Sequence, residues 1–214
     1  MLTNYHTHTT FCDGKNTPEE VVQAAIEKGF DVIGFSGHGY TVKESSYCMR
    51  DVPGYIAAVR KVQSFNKSPM QIYLGIEEDM MQPVKREDFD YIISSCHYIL
   101  KDGKCWSVDS GTEKLQDCLA LFDGDPLKFA RAYYEQFCGY LLDRKPDIIG
   151  HFDLITKFDE KETDMFLRNP QYEALAERYT KEALKADCIF EVNTGAISRG
   201  YRQTPYPRSL RGCS

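Results

Sequence analysis

Short apolar runs recur along the chain and alternate with stretches of helical periodicity. The runs fall at 2–5, 31–36, 72–76, 91–95, 147–149 and 188–192. Each is apolar nearly throughout, the pattern of a strand covered on both faces. Helical patterns lie between most of them. Thr17-Pro18-Glu19-Glu20 combines an N-cap, a proline at the first helical position and a capping-box glutamate. Val22, Ala25 and Ile26 then repeat on one helical face, and Gly29 is placed to end the helix. Tyr55, Val59 and Val62 form a second stripe. Leu127, Ala130, Tyr133, Tyr134, Phe137 and Leu141 form a longer one, and Tyr172, Leu175, Ala176, Tyr179 and Ala183 the last. Alternating strands and helices predict an α/β fold with parallel pairing and right-handed crossovers. The polar segment 102–126 contains the single tryptophan, Trp106, and reads as an inserted lid-like loop or a surface loop with one small helix. Without repeats or a linker, the 214 residues are expected to form one domain.

Composition narrows the classes of function. The 26 basic and 32 acidic residues leave a net charge of -6, the opposite of a general nucleic-acid binder. No apolar run reaches the roughly 18 residues of a membrane span. The N-terminus lacks a basic, then apolar, secretory pattern. The eight cysteines include no CxxC pair, so free thiols in a cytoplasmic protein are expected.

The five histidines carry the chemistry. His6, His8, His38, His97 and His151 all lie at or just beyond the C-terminal end of an expected strand, and so does Glu77. In parallel α/β folds that edge collects ligands and catalytic groups. His6-Thr7-His8 places two imidazoles on the same side of an extended chain, within reach of one ion. HxH alone is a weak signal; three further strand-end histidines and a carboxylate make a metal site the better reading than satisfied core histidines. Asp13, before Gly14, is either a turn residue or a ligand. Imidazole and carboxylate ligands suit Zn, Mn or Fe. Clustered divalent ions lower the pKa of water, polarise a phosphoryl group and stabilise the attacking and leaving oxygens, which points to phosphate-ester hydrolysis.

With these residues in place, the chain resembles the polymerase-and-histidinol-phosphatase (PHP) family, and within it the histidinol phosphatases. The matching segments are 5–14 (with His6-Thr7-His8 and Cys12-Asp13-Gly14), 34–38, 74–77, 95–98, 150–155 and 191–201. The resemblance extends over residues 2–207. It implies a distorted (β/α)7 TIM-like barrel with up to three divalent ions at its C-terminal face. His6, His8 and Glu77 would hold the first metal; Glu77, His97 and His151, the implied catalytic set, the second; His38 and Asp13 the third. Many relatives have a histidine where this chain has Gly14. Arg199 matches a phosphate-contacting position, a role that suits a planar guanidinium. Asp153 would orient a ligand or bind the substrate amine.

Relatives continue beyond a Pro-Tyr-Pro segment into a helix and a strand that ends in Asp-x-His. Here Pro205-Tyr206-Pro207 is followed by seven residues without that motif. The expectation is a C-terminally incomplete domain that lacks two ligands and leaves strand edges open. The implied activity is metal-dependent hydrolysis of the small phosphate ester L-histidinol phosphate, a step of histidine biosynthesis, with no nucleic-acid or membrane partner. The alternatives are a catalytically defective metal-binding fragment and a PHP phosphoesterase acting on another phosphoester.

Overall fold

The computed structural model describes residues 1–41 and 46–212, and its contacts divide the chain into two compact units, Met1–Ser94 and Ser95–Ser214. The first unit is a β/α alternation: β1 (Thr3–Asn4), α1 (Pro18–Glu27), β2 (Val32–Phe35), α2 (Val52–Phe65), β3 (Gln71–Asp79) and β4 (Tyr91–Ser95). Its strands lie in the order β1-β2-β3-β4. β1 and β2 pair in parallel with Thr3 opposite Val32, and β2 and β3 in parallel with Val32 opposite Gln71. β2 is buried along its whole length, as its apolar run requires.

Local chemistry sets the helices. Thr17 caps α1: its hydroxyl accepts from the Glu20 N–H while the Glu20 carboxylate accepts from the Thr17 N–H at 2.9 Å, the reciprocal bonds of a capping box. Asp51 caps α2 by accepting from the Gly54 N–H at 2.9 Å. The α2 stripe of Tyr55, Val59 and Val62 packs with Val22, Ala25, Ile33, Phe35 and Leu74 into one core. Tyr91 of β4 locks this sheet. Its hydroxyl lies 2.6 Å from the Tyr5 carbonyl oxygen and 3.0 Å from that of Phe35. Its ring occupies the space that side chains at Gly34 and Gly75 would need.

The second unit contains β5 (Tyr98–Lys101), β6 (Lys104–Ser107), α3 (Thr112–Ala120), α4 (Pro126–Arg144), β7 (Ile148–Ile149), α5 (Pro170–Ala183), β8 (Ile189–Phe190) and α6 (Gly195–Ser198). β7 and β8 pair in parallel, Ile148 opposite Ile189. β5 and β6 form an antiparallel hairpin whose two-residue turn, Asp102-Gly103, has positive φ at both positions, as a type I′ turn demands. The stretch 102–126 thus holds the one small helix of the second reading, α3, preceded by a hairpin strand that neither reading expected. The core is aromatic: Tyr133, Tyr134, Phe137, Phe152, Phe166, Tyr172 and Tyr179 are all buried. Where these rings carry hydroxyls they are paired, as at Tyr134 and Tyr172, 2.7 Å apart.

Residues 208–212, which match no helix or strand pattern in the sequence, form a short 3-10 turn. No disulfide joins any of the seven cysteines among the described residues; Cys213 lies outside them. No helix among the described residues is long and apolar enough to cross a membrane.

Candidate metal centre

The first unit brings five of the expected ligands together. His6 and His8 leave the end of β1, and His38 follows β2. Glu77 lies inside β3, which runs to Asp79, because the backbone of 37–39 continues the parallel pairing beyond β2. The Glu77 N–H donates to the Gly37 carbonyl at 3.1 Å, and the Gly39 N–H to the Glu77 carbonyl at 2.8 Å. One oxygen of Glu77, Oε2, then stands 3.2 Å from His6 Nε2, 3.6 Å from His8 Nε2 and 2.9 Å from His38 Nδ1. Glu77 is 1% exposed. A carboxylate this deeply buried needs hydrogen-bonding or cationic partners, and three imidazoles converge on it.

A second set of donors adjoins the first. Asp13 Oδ1 is 2.9 Å from His8 Nδ1, and Asp13 Oδ2 is 3.8 Å from His38 Nε2. His8, Asp13 and His38 each offer a ligand atom, all within 4.8 Å of one another. Nitrogen and oxygen donors at this spacing fit a divalent ion. The loop geometry also accounts for Gly14. The Gly14 N–H donates to the Thr9 carbonyl at 3.0 Å, and a Cβ at Gly14 would overlap the backbone of His8 and Thr9. A histidine cannot stand there without moving the loop.

Charge follows from this packing. Burial alone would lower the His8 pKa, but its bonds to Asp13 and Cys12 and the field of Glu77 outweigh that and raise it to about 9. Burial pulls Asp13 the other way, yet His8 and His38 hold its carboxyl far below the usual range. The Cys12 thiol lies 3.6 Å from His8 Nδ1, a contact that lowers its pKa despite burial.

The second unit places His97 just beyond β4 and His151 just beyond β7, with ring centroids 5.0 Å apart. Both are nearly buried. The His151 N–H donates to Glu191 Oε2 at 2.8 Å, and Asn193 Nδ2 donates to the same oxygen at 3.1 Å. Beside them stands an ion pair that sequence reasoning missed. Lys157, 8% exposed, donates to Asp109 Oδ2 at 3.0 Å and to the Asp109 carbonyl at 3.1 Å. Burial would raise the Asp109 pKa, but the fields of His97, Lys157 and His151 hold it below the ordinary value. Nothing in strand spacing marks either residue, because both sit on loops whose course the periodicity does not fix.

Arg199 is exposed at the C-terminus of α6. Asp153 is 2% exposed, and burial pushes its carboxyl up to about 6 against the pull of Arg202. Arg202 is a third missed residue. It is buried, donates to Thr156 Oγ1 at 2.7 Å, lies 3.5 Å from Glu160 and stacks over Tyr206.

The family model described as PHP domain matches residues 4–195. The chain belongs to the PHP family. Two proteins named "Probable histidinol-phosphatase" are similar to it. The one from Schizosaccharomyces pombe is 26% identical over 97% of this chain and 74% of its own length. The one from Deinococcus radiodurans is 28% identical over 76% of this chain and 65% of its own length, so the match spans just under two thirds of that relative. Among solved structures, a Listeria monocytogenes chain assigned as histidinol phosphatase HisK superposes with a TM-score of 0.80 at 22% identity, over 99% of this chain and 89% of that one. HisK of Lactococcus lactis, solved with zinc, L-histidinol and phosphate, gives 0.61 at 18% identity, over 90% and 73%. These likenesses show the fold, the α/β fold of the PHP type.

Proposed function

We propose that this chain is a divalent-metal-dependent phosphomonoesterase that hydrolyses L-histidinol phosphate to L-histidinol and inorganic phosphate. The observation that carries the reading is the convergence of His6, His8 and His38 on the buried Glu77, with Asp13 against His8 and His38. Such a donor set is of little use to a core and well suited to divalent cations. The histidinol phosphatases it resembles supply the substrate class.

In this reading His6, His8 and Glu77 hold one ion, His38 and Asp13 help hold another, and His97 and His151 take the family's remaining imidazole positions. Bound ions would supply Lewis-acid polarisation of the phosphoryl group and offset its developing negative charge. The chain's own groups do the rest. Glu191 fixes the backbone of His151, which steadies the direction of that imidazole. Arg199, exposed, offers its planar fork to phosphate oxygens. Asp153, two residues beyond His151, accepts the backbone N–H of Arg208 and supports the loop that carries that histidine.

The test is inorganic phosphate release from L-histidinol phosphate by the purified chain, with Mn²⁺ or Zn²⁺ and then with EDTA. Chelator-sensitive release that exceeds release from other phosphomonoesters supports the reading. A folded chain that takes up metal without releasing phosphate refutes it and leaves a metal-binding module. Equal turnover of unrelated phosphomonoesters refutes the substrate and keeps the reaction.

A further inference from the structure

Two loops of the second unit meet at one charged contact. Lys157, whose side chain is 10% exposed, donates to the Asp109 carboxylate at 3.0 Å and to the Asp109 carbonyl at 3.1 Å. Each partner is tied by backbone bonds to a different strand-end histidine. The N–H of Val108, the neighbour of Asp109, donates to the His97 carbonyl at 3.0 Å. The Lys157 N–H donates to the Leu154 carbonyl at 2.9 Å, and the Leu154 N–H to the His151 carbonyl at 3.0 Å. The ion pair therefore closes a bridge of hydrogen bonds from His97, through Val108 and Asp109, to Lys157 and back to His151. The two imidazole rings that it spans have centroids 5.0 Å apart.

We infer, on the ligand roles proposed above for His97 and His151, that Asp109 and Lys157 are positioning residues: their ion pair holds the two imidazoles at the spacing at which both reach one divalent ion. Among the described residues, neither Asp109 nor Lys157 belongs to a group of side chains able to hold an ion itself. Stability alone is a poor reason for such a pair. Taking two charges out of water costs about as much as their attraction gives back, and apolar side chains of similar volume serve a core as well. What the pair supplies is direction. The ammonium donates to a side-chain oxygen and a main-chain oxygen of the same residue, so the loop at Asp109 and the turn at 154–157 cannot slide past one another without breaking both bonds. The charges also cancel. Lys157 alone would repel a divalent ion near these rings, and Asp109 alone would attract it; together they add no net charge.

The experiment titrates zinc into the full metal-free chain against a chromophoric chelator, with no substrate present, and reads the number and affinity of the bound equivalents. His97→Ala identifies the equivalent that His97 and His151 hold. Lys157→Met keeps the apolar stem and removes the ammonium. It should weaken zinc at that equivalent about tenfold or more and leave the others within about twofold. Asp109→Asn should weaken the same equivalent at least as much, since it loosens the tie and leaves Lys157 charged. The double variant should bind no more weakly than Asp109→Asn, because the two residues act as one pair. Urea unfolding shows which variants fold. Should Lys157→Met not fold, Asp109→Asn, which keeps the side-chain shape and one acceptor, carries the same expectation.

Unchanged zinc affinity in the folded variants overturns the inference, even where stability falls, since the pair is then only structural. Tighter zinc in Lys157→Met overturns it too, because the field of Asp109 rather than position would then govern the site. Additive losses in the double variant do the same. If His97→Ala keeps every equivalent, the ligand roles of His97 and His151 fail and the inference with them. If zinc is insensitive to the pair while phosphate release stays chelator-sensitive, the inference fails alone.

Discussion

Replacing Asp13 with asparagine tests whether that carboxylate sets the charge of the first unit's cluster. In the metal-free protein, His8 keeps its proton up to about 9. Burial opposes this. The bond to Asp13 at 2.9 Å, the weaker contact with Cys12 and the field of Glu77 overcome it. An imidazole must be neutral to hold a metal ion, so metal uptake at pH 7 has to release this proton. A gap of about two pKa units at roughly 1.4 kcal/mol each sets a competition of about 100-fold against the ion at pH 7. In Asp13→Asn the side chain keeps its shape and loses its charge, and burial then weighs more heavily. The His8 midpoint should fall by about one unit or more, with each unit worth about 1.4 kcal/mol.

The same variant makes a signed stability prediction. The folded pKa of His8 lies above its unfolded value of about 6.5, so its contribution is full below that pH and lost as pH rises through about 9. The folded pKa of Asp13 lies below its unfolded value near 3.9, so its contribution is present above that pH and lost on acidification. The pair therefore stabilises the metal-free protein most between about pH 4 and 6.5, and hardly at all above 9. The side chains are 23% and 36% exposed. Solvent screening at that exposure reduces the contribution to about 1–2 kcal/mol. Histidine Cε1–H resonances titrated in EDTA give the midpoint, and urea unfolding at pH 5, 7 and 9.5 gives the stability difference. A wild-type His8 midpoint near 6.5, or one that Asp13→Asn leaves in place, refutes the reasoning.

Three further outcomes follow from the geometry. Gly75→Ala drives a methyl into the Tyr91 ring and should cost about 1–3 kcal/mol in urea unfolding. In Gly75→Ala/Tyr91→Leu much of that cost should vanish, whereas strict additivity of the two changes would count against the clash. Arg202→Met removes the buried guanidinium and its bond to Thr156 Oγ1 and should lower stability by about 1–2 kcal/mol, because the buried hydroxyl loses its donor while the exposed Glu160 carboxylate stays solvated; an unfolding midpoint equal to wild type refutes the role assigned to Arg202. Saturating Zn²⁺ at about 100 times its dissociation constant should stabilise the wild-type chain by roughly 2.7 kcal/mol, and Glu77→Gln should abolish most of that gain, read as the metal-dependent shift in melting temperature.

How far the site was legible in the sequence depends on what fixes each residue in space. His6, His8, His38 and Glu77 could be read as one cluster because parallel pairing alone aligns the ends of β1, β2 and β3, and the apolar runs announced those strands. The helix starts were equally open, since a capping box is written in four consecutive residues, Thr17 to Glu20. Glu77 was placed just past its strand rather than inside it. No run of side chains records that the backbone at 37–39 prolongs the pairing. The β5–β6 hairpin is a different kind of miss. Its turn, Asp102-Gly103, is a strong hairpin signal, but the flanking lysines at 101 and 104 break the apolar alternation and made the segment look like a loop. Lys157, Asp109 and Arg202 left no such trace. Each is a charged residue in a loop, where sequence suggests a solvated surface, and each has a partner far along the chain, 48 positions for Lys157 and Asp109 and 46 for Arg202 and Thr156. Periodicity reports which face of an element is apolar; it is silent about which loops meet. The imidazoles and the buried glutamate are therefore legible in spacing, while Asp109 and Lys157, beside His97 and His151, are set by how two distant loops meet.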